Sequence, residues 1–265
     1  MLSWNTLASR GAIWFRLLRA GQPSGDWLLH MQWEADGRQS QSPEHGDVRV
    51  DTDVIRSTHP FDGIDIRAEG VFFAAIAFAT PGHRSPCLPY VGRARILDVE
   101  PRSQYVDDAR GWCSPASLSM LNAFFGLSYD VPATARAVFD RAYNGTGNWS
   151  FNVAFSGSLG LRAAVAYLQN LDHAQRFIDA GIPLALSYSW SGDELPGAPL
   201  DHSDGHLAVL CGFAENGDCI VNDPAHHKLR VAYPRSALES VWQRNNGVAY
   251  VVAPAGLDVF SIAET

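Results

Sequence analysis

GWCSPASLSMLNAFFG, residues 111–126, is the stretch on which the fold turns. From Pro115 onward Ser117, Leu118, Leu121, Phe124 and Phe125 share one helical face, which is the spacing of an amphipathic helix packed on a core. Pro115 suits a first turn, where its missing N–H costs nothing, and Gly126 suits the C-terminal cap. Cys113 therefore stands at the opening of a helix. Unpaired backbone N–H groups and the helix dipole stabilise negative charge there, and they can lower a thiol pKa from about 8.5 to roughly 3.5–7.5. The bland alternative is a buried, inert thiol, since free cysteine is among the most buried residue types.

Working outward toward the C-terminus, helices are expected from Ala133 to Tyr143, Leu161 to Gln169 and Asp172 to Ala180, the last with Asp172 as N-cap and Gly181 behind it. Strands follow from Ile182 to Trp190, His206 to Phe213, Cys219 to Asp223 and Val248 to Ala253, with one helix between Pro234 and Gln243. Helices first and strands second imply an α+β fold. Between Ser191 and Gly205 runs a polar loop, SGDELPGAPLDHSDG, long enough to be functional. His206 opens the strand after that loop and Asp223 ends the next one, so both can face one cleft. Asn216-Gly217 is a strong hairpin signal. If those two residues form the turn, Asp223 opposes Leu210 and lies on the face of His206. The offset is then four residues, or about 13 Å at ~3.3 Å each, too far for a hydrogen bond. Contact between the two requires a bulge or a longer turn.

Toward the N-terminus the signals are of strand type. Trp27, Leu29, Met31 and Trp33 alternate with His30, Gln32 and Glu34, and Val48, Val50, Ile64 and Ile66 alternate with charged residues, which argues a half-exposed antiparallel sheet. The apolar run Val71 to Ala79 reads as the central strand of a small sandwich. The expected organisation is an all-β, sandwich-like domain over residues 1–100 followed by an α+β domain over residues 101–265.

Several function classes fall away on composition. The formal net charge is −8, and no Lys/Arg run tracks a phosphate backbone, so nucleic acid is not an expected partner. Lys228 is the single lysine, which removes the phosphate-loop signature G-x-x-x-x-G-K-[ST]. No apolar run approaches the roughly 20 residues of a membrane-spanning helix. Residues Met1 to Arg19 lack the pattern of a signal peptide, which points to a cytoplasmic protein, or to a secreted one if a leader has been removed. The four cysteines, Cys87, Cys113, Cys211 and Cys219, contain no C-x-x-C pair, so no zinc site, disulfide framework or cofactor is expected. Cys211 and Cys219 fall on opposite faces of the simple hairpin and should not bridge.

Three strings together, GWCSPASLSMLNAFFG from Gly111, DGHLAVLCGF from Asp204 and VNDPA from Val221, resemble the bacterial cysteine peptidases of family thirty-nine over residues 101–253. That family includes the bacteriocin-leader-processing peptidases and many stand-alone relatives. The resemblance implies a papain-like fold with Cys113 as nucleophile, His206 as its base and Asp223 orienting that base. It also implies an oxyanion donor at Gln104, nine positions before the cysteine. The nucleotide-binding and membrane parts of the leader-processing transporters are missing, so a stand-alone relative is expected. The implied activity is a thiol-dependent hydrolase acting on peptide or amide bonds, with a peptide or protein as substrate. Trp112 and Trp190 are candidate walls of a substrate groove. Asp193, Glu194, Asp201 and Asp204 are candidates for favouring a cationic substrate.

Rival readings remain at this level. Asp201, His202, Asp204, His206, His226 and His227 could supply metal ligands, although their spacing matches no helical H-E-x-x-H. The N-terminal β domain could bind a carbohydrate or a protein, with exposed Trp27 or Trp33 as the sign, and the cysteine domain could be an inactive scaffold. An amidase or acyltransferase would use the same three side chains.

Overall fold

The computed structural model describes residues 1–79, 92–106 and 111–264; Cys87 lies outside them. The N-terminal part contains β1 (Leu2–Asn5), β2 (Gly11–Arg19), β3 (Gln22–Glu34), β4 (Gly37–Ser40), β5 (Glu44–His45), β6 (Val48–Asp51), β7 (Val54–Ser57), β8 (Gly63–Glu69) and β9 (Phe73–Ile76). A sheet of order β4-β3-β2-β8 and a second of order β5-β6-β7 enclose a small core of Phe15, Leu17, Val48 and Val50. The expected central strand is absent from both sheets. Only Phe73–Ile76 of that run is strand, and it pairs with β1 alone.

β1 packs on the C-terminal half of the chain, where Leu2 and Trp4 join Phe151 and Ala154 in one buried cluster. The Asn5 side chain donates to the Ala163 carbonyl at 2.8 Å and accepts from the Ala163 N–H at 3.0 Å. That cluster also holds Ile13, Met31 and Trp33, so β1 joins β2 and β3 to α3.

Strand alternation holds for Met31 and Trp33, which are buried, but fails at His30 and Trp27. β2 pairs Ile13 with Met31 and then Trp14 with Leu29, so His30 is the extra residue of a bulge. Its ring turns inward, 5.7 Å from Phe15 and edge-on to it, with neither nitrogen hydrogen-bonded among the described residues. Trp27 comes out on the opposite side, half-buried beneath the guanidinium groups of Arg16 and Arg67. Burial pushes His30 down to about 3. The unfolded chain therefore binds a proton that the fold refuses between pH ~6.5 and ~3, and stability falls as pH drops through that window. At pH 5 the loss is about 2 kcal/mol, or roughly 5 °C in Tm. His30→Leu is expected to lose less Tm than the parent between pH 7.5 and 5; equal losses in differential scanning calorimetry would contradict this.

The C-terminal part contains β10 (Arg95–Ile96), α1 (Cys113–Phe124), α2 (Val131–Val138), α3 (Trp149–Ser158), β11 (Leu161–Tyr167), α4 (Leu171–Asp179), β12 (Leu184–Ser191), β13 (His202–Phe213), β14 (Cys219–Asn222), β15 (Arg230–Tyr233), α5 (Arg235–Gln243), β16 (Val248–Pro254) and α6 (Val259–Glu264). Its antiparallel sheet has the order β11-β16-β12-β13-β14-β15, with β10 also on β13. This is a mixed fold of α-helices and sheets. α1 lies against β13, and the Ser117 hydroxyl donates to the Leu207 carbonyl at 3.0 Å. Leu118, Met120 and Leu121 are fully buried, each contributing roughly 1.5–3 kcal/mol of burial.

The segment LRAAVAY, expected as helix, is strand β11. It pairs along its length with β16, and burial of Leu161, Ala163, Ala164 and Val165 gives the continuous apolar run that a buried strand shares with a buried helix. Helix α4 starts one residue early, with Asn170 rather than Asp172 as N-cap, its side chain accepting from the His173 N–H. No helix among the described residues is long and apolar enough to cross a membrane.

Candidate active site

Cys113 is the first residue of α1, directly after the N-cap residue Trp112, and its side chain is half-buried. The His206 ring and the backbone N–H groups of Leu207 and Ser114 lie near enough to the thiol to stabilise its anion. Burial alone would raise the thiol's pKa. The neighbouring His206 outweighs it and holds Cys113 below the ordinary thiol range.

His206 sits in β13, and its Nε2–H donates to Asp223 Oδ1 at 2.8 Å, which leaves Nδ1 for the thiol. The contact exists because the β13–β14 hairpin departs from its simplest register twice. The turn is longer than two residues, so Phe213 rather than Ala214 pairs with Cys219, and a bulge at Cys211 shifts the ladder again, so Val209 faces Asn222. Extending that pairing by one residue brings Asp223 across from Ala208, only two residues from His206, or about 7 Å along the strand. Histidine and aspartate side chains span that gap. Cys211 and Cys219 are both free and buried, and burial pushes each up to about 12.

Asp223 is fully buried and its carboxylate accepts four hydrogen bonds. Oδ1 takes His206 and the Ala225 N–H at 3.0 Å, and Oδ2 takes the Tyr233 hydroxyl at 2.8 Å and the Tyr188 hydroxyl at 3.3 Å. Burial would raise its pKa, but the charge and hydrogen bond of His206 and the Tyr233 bond pull it below the usual carboxylate range. His206 moves the other way: burial disfavours the imidazolium, yet Asp223 and Cys113 together raise it well above an ordinary histidine. The two groups thus shift in opposite directions, the thiol down and the imidazole up. Tyr188 and Tyr233 were invisible in the sequence, because each lies in a strand whose pairing alone carries it to Asp223.

The other candidates divide. Trp112 lines a cleft of about 1020 Å³ in front of Cys113. Trp190, expected along the same groove, is only 2% exposed. It lies beside the imidazole, 5.5 Å away and edge-on, with its indole N–H donating to the Leu200 carbonyl, so it supports the ring instead of facing a substrate. Gln104 is buried against the Asp223 loop. Its backbone N–H donates to the Pro224 carbonyl at 3.0 Å, and its side-chain oxygen has no partner among the described residues. Of the polar loop, Gly205 alone borders the cleft. Glu194 forms a bidentate pair with Arg244. His226 and His227 stack on each other at 4.3 Å, and no three potential metal ligands cluster among the described residues.

Further cleft walls are Arg136 of α2 and Phe139 just after it, the loop Tyr143–Gly147, Trp149 of α3, and the β6–β7 turn Asp51–Asp53. The sequence offered no signal for them, since the cleft is assembled from segments about 100 residues apart.

No curated protein matches the chain. Among solved structures it is similar to a protein described as a C39-like peptidase from Bacillus anthracis, at 17% identity over 61% of this chain and 98% of that one, with a TM-score of 0.49. It is also similar to a double glycine motif protease from an AMS/PCAT transporter in complex with a leader peptide, at 18% identity over 63% and 99% of the two chains with a TM-score of 0.43. A third is the peptidase domain of Streptococcus ComA, a bi-functional ABC transporter, at 18% identity over 61% and 99% with a TM-score of 0.41. The model of one family, described as Peptidase_C39 like, matches residues 96–250, a segment that spans more than half of the chain and holds Cys113, His206 and Asp223, and this protein accordingly belongs to the Peptidase_C39 like family.

Proposed function

We propose that this protein is a cysteine peptidase, a thiol-dependent hydrolase that cleaves a peptide or amide bond through an acyl-enzyme on Cys113. The observation that carries the reading is the hydrogen bond of His206 to the buried Asp223, with the imidazole beside the Cys113 thiol at the first residue of a helix. Thiolate attack on the carbonyl carbon forms the C–S bond and places negative charge on the carbonyl oxygen. The Cys113 N–H and the Gln104 side-chain amide are the proposed donors to it. The imidazolium of His206 then protonates the leaving amine, and water, deprotonated by the same ring, releases the acid and regenerates the thiol.

Asp223 holds the tautomer and stabilises the imidazolium, and Trp190 with Tyr188 flanks the ring and limits water around it. The substrate is a peptide or protein lying along the cleft beside Trp112. In this reading residues 101–265 carry the chemistry. The N-terminal strands are an accessory element whose carbohydrate- or protein-binding role rests on the half-exposed Trp27 alone.

Alkylation of each cysteine across pH, read by peptide mass mapping, tests the reading. Cys113 is expected to react fast at neutral pH and to lose that reactivity in His206→Ala, while Cys211 and Cys219, with thiols raised and buried, stay slow. A Cys113 no faster than Cys211 would mean that the thiolate is not formed and that the protein is an inactive relative.

A further inference from the structure

The cleft in front of Cys113 is not built by the family-matched segment alone. Asp51, Thr52 and Asp53, the turn between β6 and β7, form part of its wall, and they lie outside residues 96–250. The turn is tight: Thr52 takes the left-handed conformation at φ 57°, and the Asp53 N–H donates to the Asp51 carbonyl at 2.7 Å. Arg56 and Arg49 brace Asp51 at 2.6 and 3.3 Å.

The decisive contact is that of Asp53. Its carboxylate, 6% exposed, accepts from the Trp149 N–H at 2.6 Å, the first residue of α3. A carboxylate at a helix N-terminus satisfies an orphan donor and meets the positive end of the dipole. Trp149 itself borders the cleft, so the turn is fastened to the cleft's α3 edge. Two further ties hold the N-terminal strands in place. The Ser40 N–H donates to Asp140 Oδ1 at 3.0 Å, and the Ser150 hydroxyl donates to the Leu2 carbonyl at 2.7 Å. The turn itself is held by Asp53 on α3, and the other two ties hold the neighbouring strands β4 and β1 on the C-terminal part.

We propose that the Asp51–Thr52–Asp53 turn is a length-limiting wall, so that a peptide extended from Cys113 toward α3 has to end near the turn. The substrate class is then peptide ends or short peptides, trimmed from one terminus, rather than long chains cut internally. This rests on the assignment of Cys113 as the nucleophile of a peptidase. It gives the N-terminal strands a part in the active site.

The test incubates the full chain with a pool of peptides and with one unfolded protein, and maps the cuts by mass spectrometry. Cuts are expected within a few residues of one terminus, and extension of a good substrate at that terminus should lower kcat/KM at least tenfold. Asp53→Ala, which frees the turn, should shrink that penalty and admit internal cuts. Thr52→Trp, which enlarges the tip, should deepen it; opposite shifts cannot both come from loss of fold. Internal cuts as frequent as terminal ones in the parent, or equal penalties in both variants, overturn the proposal. An alkylation-competent Cys113 with no peptide cut at all also overturns it, whereas a Cys113 that fails the alkylation test removes the peptidase assignment beneath it.

Discussion

Cys113→Ala is expected to abolish hydrolysis of any peptide or amide substrate, by about 10³-fold or more, with a cooperative unfolding transition retained. The two halves of that expectation have different origins. Chemically, no other described thiol can replace it, because Cys211 and Cys219 are buried with their thiols raised, so each is a poor nucleophile and out of reach of the cleft. Structurally, the side chain is half-buried at the first residue of α1, where the helix is held by Leu118, Met120 and Leu121 rather than by the thiol. Loss of one sulfur atom leaves a small space open to the cleft. The measurement is turnover of a substrate found by peptide profiling, with circular dichroism melting alongside. Residual activity above a few per cent would move the nucleophile elsewhere. Cys211→Ala and Cys219→Ala serve as controls and should retain full turnover.

The second large effect belongs to Asp223. With the parent, kcat/KM is expected to rise with pH through the depressed Cys113 value and to fall as pH passes the raised His206 value, a broad bell. Asp223→Asn removes the charge that raises His206 while keeping the size of the side chain. Burial, which lowers the imidazole pKa, then acts with less opposition, so the alkaline limb moves to lower pH and the bell narrows. Without His206 as a cation the thiol rises, and the acid limb moves up. The rate at the optimum should fall on the order of 10²–10⁴-fold, the cost of losing the carboxylate that fixes the tautomer of a catalytic histidine. Tyr233→Phe separates charge from positioning. It removes one of four donors to the carboxylate but leaves the charge, so the alkaline limb should not follow Asp223→Asn to lower pH, while the rate falls roughly tenfold, in kcat rather than KM. An unchanged pH profile in Asp223→Asn would mean that another group orients the ring.

A comparison of strand β11 with helix α1 shows where reading from the chain works. α1 was legible because a helix carries its own signals: a 3.6-residue apolar period, a proline near the start and a glycine beyond the end are all local. The observed helix begins at Cys113, two residues ahead of Pro115, which strengthens the argument for an activated thiol. β11 carries no such signal, because LRAAVAY is apolar and alanine-rich and a strand buried on both faces has no alternation to reveal it. α3 went unnoticed although Asn148 caps it through the Phe151 N–H, since WSFNVAFSGS has glycine, serine and aromatics in place of strong helix formers. The family strings pointed to Cys113, His206 and Asp223 together. The spacing of the simple hairpin argued against the last two meeting.

The sequence by itself determined the residue types of the site, the helix that carries the thiol, and the family to which residues 96–250 belong, because each is written in short-range pattern. Tertiary structure alone decided the rest. A one-residue lengthening of a turn and a one-residue bulge brought Asp223 to His206. Strand pairing delivered Tyr188 and Tyr233 to the same carboxylate, and a buried aspartate from β6–β7 completed the cleft at α3. The physical reason is that register and docking depend on single-residue shifts and on contacts about 100 positions apart, whose energies exist only once both partners are in place.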